Sequence, residues 1–122
     1  MWQAIKNGFE QFVLQIKLYL QHRQKNKPDV IIVSRHPGFV QYVKEQHWWA
    51  KDAEVVDHVE HHGIVQGKTV FGNLPLELAW HANDMMTLDL SGIPKHLRGK
   101  ELTYEQIKQY QQGWHRYVIK RY

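Results

Sequence analysis

The chain contains no cysteine. That absence removes disulfides, thiolate-ligated zinc and cysteine nucleophiles together, and with them the marks of an oxidising compartment, so a cytoplasmic setting is expected. No uncharged apolar run approaches the roughly 20 residues that span a bilayer. The N-terminus also lacks the apolar stretch and small-residue cleavage site of a secretory signal, and the chain reads as mature and soluble. A general excess of one charge is missing too. The net charge of +4 is accounted for by residues 1–28, where Lys6, Lys17, Arg23, Lys25 and Lys27 face Glu10 alone; the remainder holds eleven basic and eleven acidic side chains. A nucleic-acid coat spread over the whole surface is thereby excluded, no DNA partner is expected, and an anionic ligand must be gripped by a local cluster.

What is present has the organisation of one domain with a leading helix, and 122 residues suffice to bury a single core. Trp2, Ile5, Phe9, Phe12, Val13, Ile16, Tyr19 and Leu20 recur at steps of three and four, which predicts an amphipathic helix over residues 2–21. His22 to Pro28 is polar and basic, and a proline disfavours helix in the residue before it, so 22–28 reads as a linker. The division is therefore 1–28 for helix and linker, and 29–122 for the domain. The helix is expected to bury its stripe against protein, with membrane contact the less favoured use.

From Asp29 onward, strand and helix signals alternate. Val30 to Val33 is a short apolar run suited to a strand covered on both faces. Pro37 opens a helix with Phe39, Val40 and Val43 on its buried side. Residues 53–59 and 69–71 read as strands, Pro75 opens a second helix carrying Leu76 to Trp80, and Met86 to Leu90 reads as a fourth strand. Thr103 with Gln106 forms a capping-box pattern that starts a third helix, with Leu102 and Ile107 placed to staple it. The face of that helix is expected to continue through Tyr110 to Trp114, with helix and closing strand both open for 117–119. The predicted fold is a small α/β domain with a mostly parallel sheet flanked by helices. Ligands in such sheets gather at the carboxyl ends of the strands.

That rule singles out two loops. Ser34-Arg35-His36 precedes a helix N-terminus, where backbone N–H groups and the helix dipole attract anions. Ser34 offers a hydroxyl, Arg35 a planar cationic fork, and His36 a group that moves protons near neutral pH; plain capping of the helix stands as the alternative. Gly72-Asn73-Leu74 follows the third strand in the equivalent place, where an ordinary turn is the alternative. Arg98 and Lys100 put two cations before the last helix, although a solvated turn explains them equally. His58, Glu60, His61 and His62 hold ligand atoms suited to zinc, but their spacing does not match a helical zinc motif, and no metal is expected. His58 is expected to line the crevice from the end of the second strand. Trp48, Trp49, Trp80 and Trp114 are assigned to the core or a subunit interface, not to base stacking.

Three blocks, VIIVSRHPG at 30–38, GNLPLELA at 72–79 and LRGKEL at 97–102, resemble in order and spacing a small Csx-type CRISPR-associated family of type III systems, the sixteenth of that series. The resemblance covers about residues 29–122. Asn73 stands where the family pattern has a small hydroxyl residue, Phe39 where it has alanine, and residues 1–28 extend beyond the family core. The resemblance implies a homodimeric, Rossmann-like (CARF-like) ring nuclease that degrades cyclic tetra-adenylate and switches off defence signalling; because such a ring carries its own 2′-hydroxyl nucleophile, no metal or other cofactor is required. Ser34, Arg35 and His36 would then be catalytic, with Pro37, Gly38, Gly72, Asn73, Leu74, His58, Arg98 and Lys100 about the ligand. A sensor that binds the ring without cutting it is the rival reading, and an RNA adaptor acting through the basic helix a third.

Overall fold

A computed structural model describes residues 8–18 and 29–122. Helix α1 occupies residues 8–18, inside the 2–21 span read from the apolar spacing; the rest of that span and the linker at 22–28 lie outside the described residues. The domain then runs β1 (Val30–Val33), α2 (Pro37–Gln46), β2 (Glu54–Val56), β3 (Thr69–Phe71), α3 (Leu76–Ala79), β4 (Asp84–Leu88), α4 (Tyr104–Tyr110) and β5 (Trp114–Tyr117), with three short 3₁₀ turns between elements. The sheet order is β2-β1-β3-β4-β5. The first four strands are parallel and β5 closes the sheet antiparallel to β4. This is the α/β, Rossmann-like, mostly parallel arrangement that alternating strand and helix signals predict.

Side chains of β1 alternate between the two faces of the sheet, so its unbroken apolar run feeds two cores at once. Val30 and Ile32 join Val43, Ala50 and Phe71 on one side. Ile31 joins Val65, Val70 and Ala82 on the other. Ile31 and Ile32 are both fully buried, and burial of one such side chain stabilises by about 1.5–3 kcal/mol. Over the first core lies α2, started by Pro37 in its first turn, and α4 runs beside it. Gly38 makes that approach possible: a Cβ there would stand 2.8 Å from the Tyr104 backbone nitrogen and 2.9 Å from the Leu102 carbonyl oxygen. The capping box of α4 is present in full, with Thr103 Oγ1 accepting from the Gln106 N–H and Gln106 Oε1 accepting from the Thr103 N–H.

Two expectations are revised. Strand β4 begins at Asp84 and ends at Leu88, two residues earlier than the 86–90 reading, because the apolar signal of Met86 to Leu90 hides the polar Asp84 that opens the strand. Trp114 does not extend α4; the helix ends at Tyr110, where Gln111 takes extended backbone angles, Gly113 then turns with a φ of 106°, and Trp114 opens β5. Of the α1 stripe, Phe9, Phe12 and Ile16 are exposed; Trp2, Ile5, Tyr19 and Leu20 lie outside the described residues. Trp114 is nonetheless a packing residue, stacked on Tyr42 and set edge-on to Phe71, and Trp49 packs on the same core.

Candidate anion site at the carboxyl end of the sheet

After β1 the chain turns to one side of the sheet to form β2, and after β2 it crosses to the other side to form β3. That reversal leaves a crevice between the carboxyl ends of β1 and β3, the place where sheets of this order hold ligands. A cavity of about 420 Å³ lies there, within the range of small-ligand sites. Ser34, Arg35 and His36 line it from β1, Gly72 and Asn73 from β3, and Lys100 from the loop before α4. Two separated sequence blocks and one distant cation thus meet in one place.

The turn after β1 is held from several directions. The Ser34 N–H donates to the Val56 carbonyl at 2.9 Å, tying the ends of β1 and β2. The His36 N–H donates to Ser34 Oγ at 3.0 Å, a short-range loop closure typical of serine, which leaves the Ser34 hydroxyl proton available for a ligand oxygen. His36 is the N-cap of α2, but its side chain makes no capping hydrogen bond. Its Nδ1 instead stands 3.9 Å from Glu101 Oε1 in a pair more than half exposed at both ends. So open a contact is weakly held in water, and the imidazole is free to engage a ligand. The helix end itself offers less than expected: Pro37 has no N–H, and the N–H groups of Phe39 and Val40 both return to the His36 carbonyl. Charge for an anion must therefore come chiefly from Arg35 and Lys100.

Gly72 is required by close approach. Its φ is 131°, and a Cβ would lie 2.3 Å from the Val33 carbonyl oxygen, so the backbone leaving β3 rides directly against the end of β1. The remaining wall has two characters. Phe39, Leu88, Leu90, Leu102 and Ile107 form an apolar side, while Asp57 and Thr87 add polar atoms from the ends of β2 and β4. Between Leu88 and Leu90, Asp89 faces the loop it braces. Its carboxylate accepts from the hydroxyl and N–H of Ser91 and lies 3.2 Å from His115 Nε2, and these contacts, Ser91 foremost, lower its pKa to about 2.

Other candidate residues are placed elsewhere. Pro37 and Gly38 serve the start of α2 and its contact with α4, Leu74 packs in the second core, and Arg98 is not among the lining residues. His58 sits beyond the crevice, 3.0 Å from Glu60; strand β2 ends at Val56, not at Val59, so the residue that turns inward is Asp57. The end-of-strand rule would have found Asp57, Thr87 and Leu88 with correct strand limits. Phe39, Leu102 and Ile107 carried only a packing signal. His61 and His62 stack on each other and, through His62, on His81, and no grouping of three or more metal-binding side chains occurs among the described residues.

No curated protein and no solved structure matches the chain. A family model does: the one described as "Putative CRISPR-associated protein (Cas_VVA1548)" matches residues 31–120. The matched span runs from β1 through β5 and includes every strand and loop that builds the crevice. With about three quarters of its length so matched, the chain belongs to this CRISPR-associated protein family.

Proposed function

We propose that the crevice binds a cyclic oligoadenylate and opens it, as a metal-independent ring nuclease acting on cyclic tetra-adenylate. The observation that supports this reading is the convergence of Arg35, His36, Lys100 and Asp57 on one cavity with an apolar wall. A nucleotide unit needs such a pairing: cations for its phosphate and a flat apolar surface for its base.

The ring carries its own nucleophile, the ribose 2′-hydroxyl, so the protein has to align that oxygen with the phosphorus and balance the charge that develops. Arg35 and Lys100 hold the phosphate, with the Ser34 hydroxyl donating to one of its oxygens. Asp57 takes the 2′-hydroxyl proton as the O2′–P bond forms. His36 gives a proton to the 5′-oxygen as the P–O5′ bond breaks, leaving a 2′,3′-cyclic phosphate and a 5′-hydroxyl. At about 420 Å³ one crevice is small beside a ring of four nucleotides, and a twofold homodimer with facing crevices is the proposed assembly.

Incubation of the protein with cyclic tetra-adenylate in EDTA, followed by chromatography, tests the reading. Linear products ending in a 2′,3′-cyclic phosphate are expected. A ring that is bound and returned intact would assign the crevice to a sensor instead, and a ring that is neither bound nor cut would end the proposal.

A further inference from the structure

The α1 helix is the part of the molecule that the crevice does not use. Phe9, Phe12 and Ile16 are 66%, 59% and 43% exposed, with Val13 beside them half-buried. These side chains fall on one helical arc, and the sequence continues the same arc through Trp2 and Ile5 before it and Tyr19 and Leu20 after it. Leaving such a stripe in water is unfavourable, so a partner covers it. The question is which.

Sequence chemistry separates the candidates. A second copy of the helix in a coiled coil would want aliphatic residues at the seam and opposite charges flanking it. Here Trp2, Phe9, Ile16 and Ile5, Phe12, Tyr19 occupy the two seam positions, four of the six being aromatic, while the flanking positions carry Lys6, Val13, Leu20, Gly8, Gln15 and His22, with no carboxylate to pair with Lys6. The apolar arc is wider than a two-stranded seam. A helix gripping RNA would need cations, not a broad aromatic face. Residues 1–28 combine both features, an aromatic-rich arc and five cations against the single acid Glu10, whereas the rest of the chain is balanced in charge.

We propose that α1 docks on an anionic lipid surface, lying in the plane of the interface with Phe9, Phe12 and Ile16 inserted and the cations against the headgroups. Aromatic and aliphatic side chains on one face with Lys and Arg around them are what interfacial helices use, and cations near an anionic leaflet add attraction that salt screens. The helix lies on the membrane and does not cross it: no helix among the described residues is long and apolar enough to span one. Leu14 and Leu18 stand outside the arc and are also exposed, which weakens the contrast between faces and makes attachment depend on the cations.

Flotation of the full-length protein with vesicles tests this. About tenfold more protein should float with phosphatidylcholine vesicles containing phosphatidylglycerol than with phosphatidylcholine alone, and raising salt to about 0.5 M should release it. The double substitution Phe9→Gln and Phe12→Gln, at two exposed positions, should abolish flotation while leaving the circular dichroism and melting of the domain unchanged. Equal recovery on neutral and anionic vesicles, or flotation that survives the double substitution, overturns the proposal. So does a protein that never floats, and if the same substitutions then split an oligomer in light scattering, the occupant is a second copy. Cleavage of the cyclic oligonucleotide is measured separately in vesicle-free buffer, so either result stands without the other.

Discussion

The two ends of the sheet hold polar groups in opposite states. At the amino end, Asp84 is buried and fully engaged: it accepts from the Thr69 hydroxyl at 2.6 Å and from Arg116 Nε at 2.7 Å, with Asn83 Nδ2 at 3.4 Å. Burial alone would raise its pKa, but those hydrogen bonds and the Arg116 charge outweigh it and the net shift is downward. At the carboxyl end, by contrast, Arg35, Lys100 and Asp57 surround open space, and His36 reaches only a loose partner. A satisfied carboxylate fastens strands; converging groups left open to a cavity are the ones the proposed function uses.

Substitutions should separate the two ends. The largest effect is expected from His36→Ala and Arg35→Ala, each lowering the ring-cleavage rate by about 10²–10⁴-fold with melting unchanged; wild-type rates in both variants would remove the proposed chemistry. Gly72→Ala is expected to break the comparison by damaging both properties, costing about 3 kcal/mol from its φ and its clash with Val33, as read by urea unfolding. Asp84→Ala strips Thr69 and Arg116 of their shared acceptor and should cost about 2 kcal/mol, while ring binding by the remaining folded protein is retained. The smallest effect concerns acid. Burial lowers the His47 pKa, so the neutral ring is the form the fold prefers. Its contribution is complete above the ordinary histidine value of about 6.5 and is lost as pH falls through the lowered folded value. The urea midpoint should therefore drop on acidification, and His47→Phe should flatten that slope.

Much of this was legible in the chain because each signal was local. The four apolar residues of β1, Pro37 at the head of α2 and the Thr103–Gln106 box all declare themselves within a few residues. The convergence of Ser34-Arg35-His36 with Gly72-Asn73 followed from the rule for parallel sheets. What escaped was set by tertiary structure. Asp57 was passed over for His58 because strand length fixes which side chain turns inward, and Val59 prolonged the apparent strand. β5 was masked by Trp114, whose spacing continues the α4 face although the backbone has already left the helix at Gln111. Gly38 reads as a ligand contact, yet what it admits is the backbone at the start of α4, whereas Gly72 both lines the crevice and admits the end of β1.

The contact between Gly72 and Val33 also bears on how tightly any guest is held. With β3 and β1 in main-chain contact at their ends, the backbone of the crevice floor is already in place for any ligand. The entropic cost then falls on a few long side chains, Arg35 and Lys100 first among them. Association should accordingly be fast and salt-sensitive, with a heat-capacity change set by the apolar wall alone.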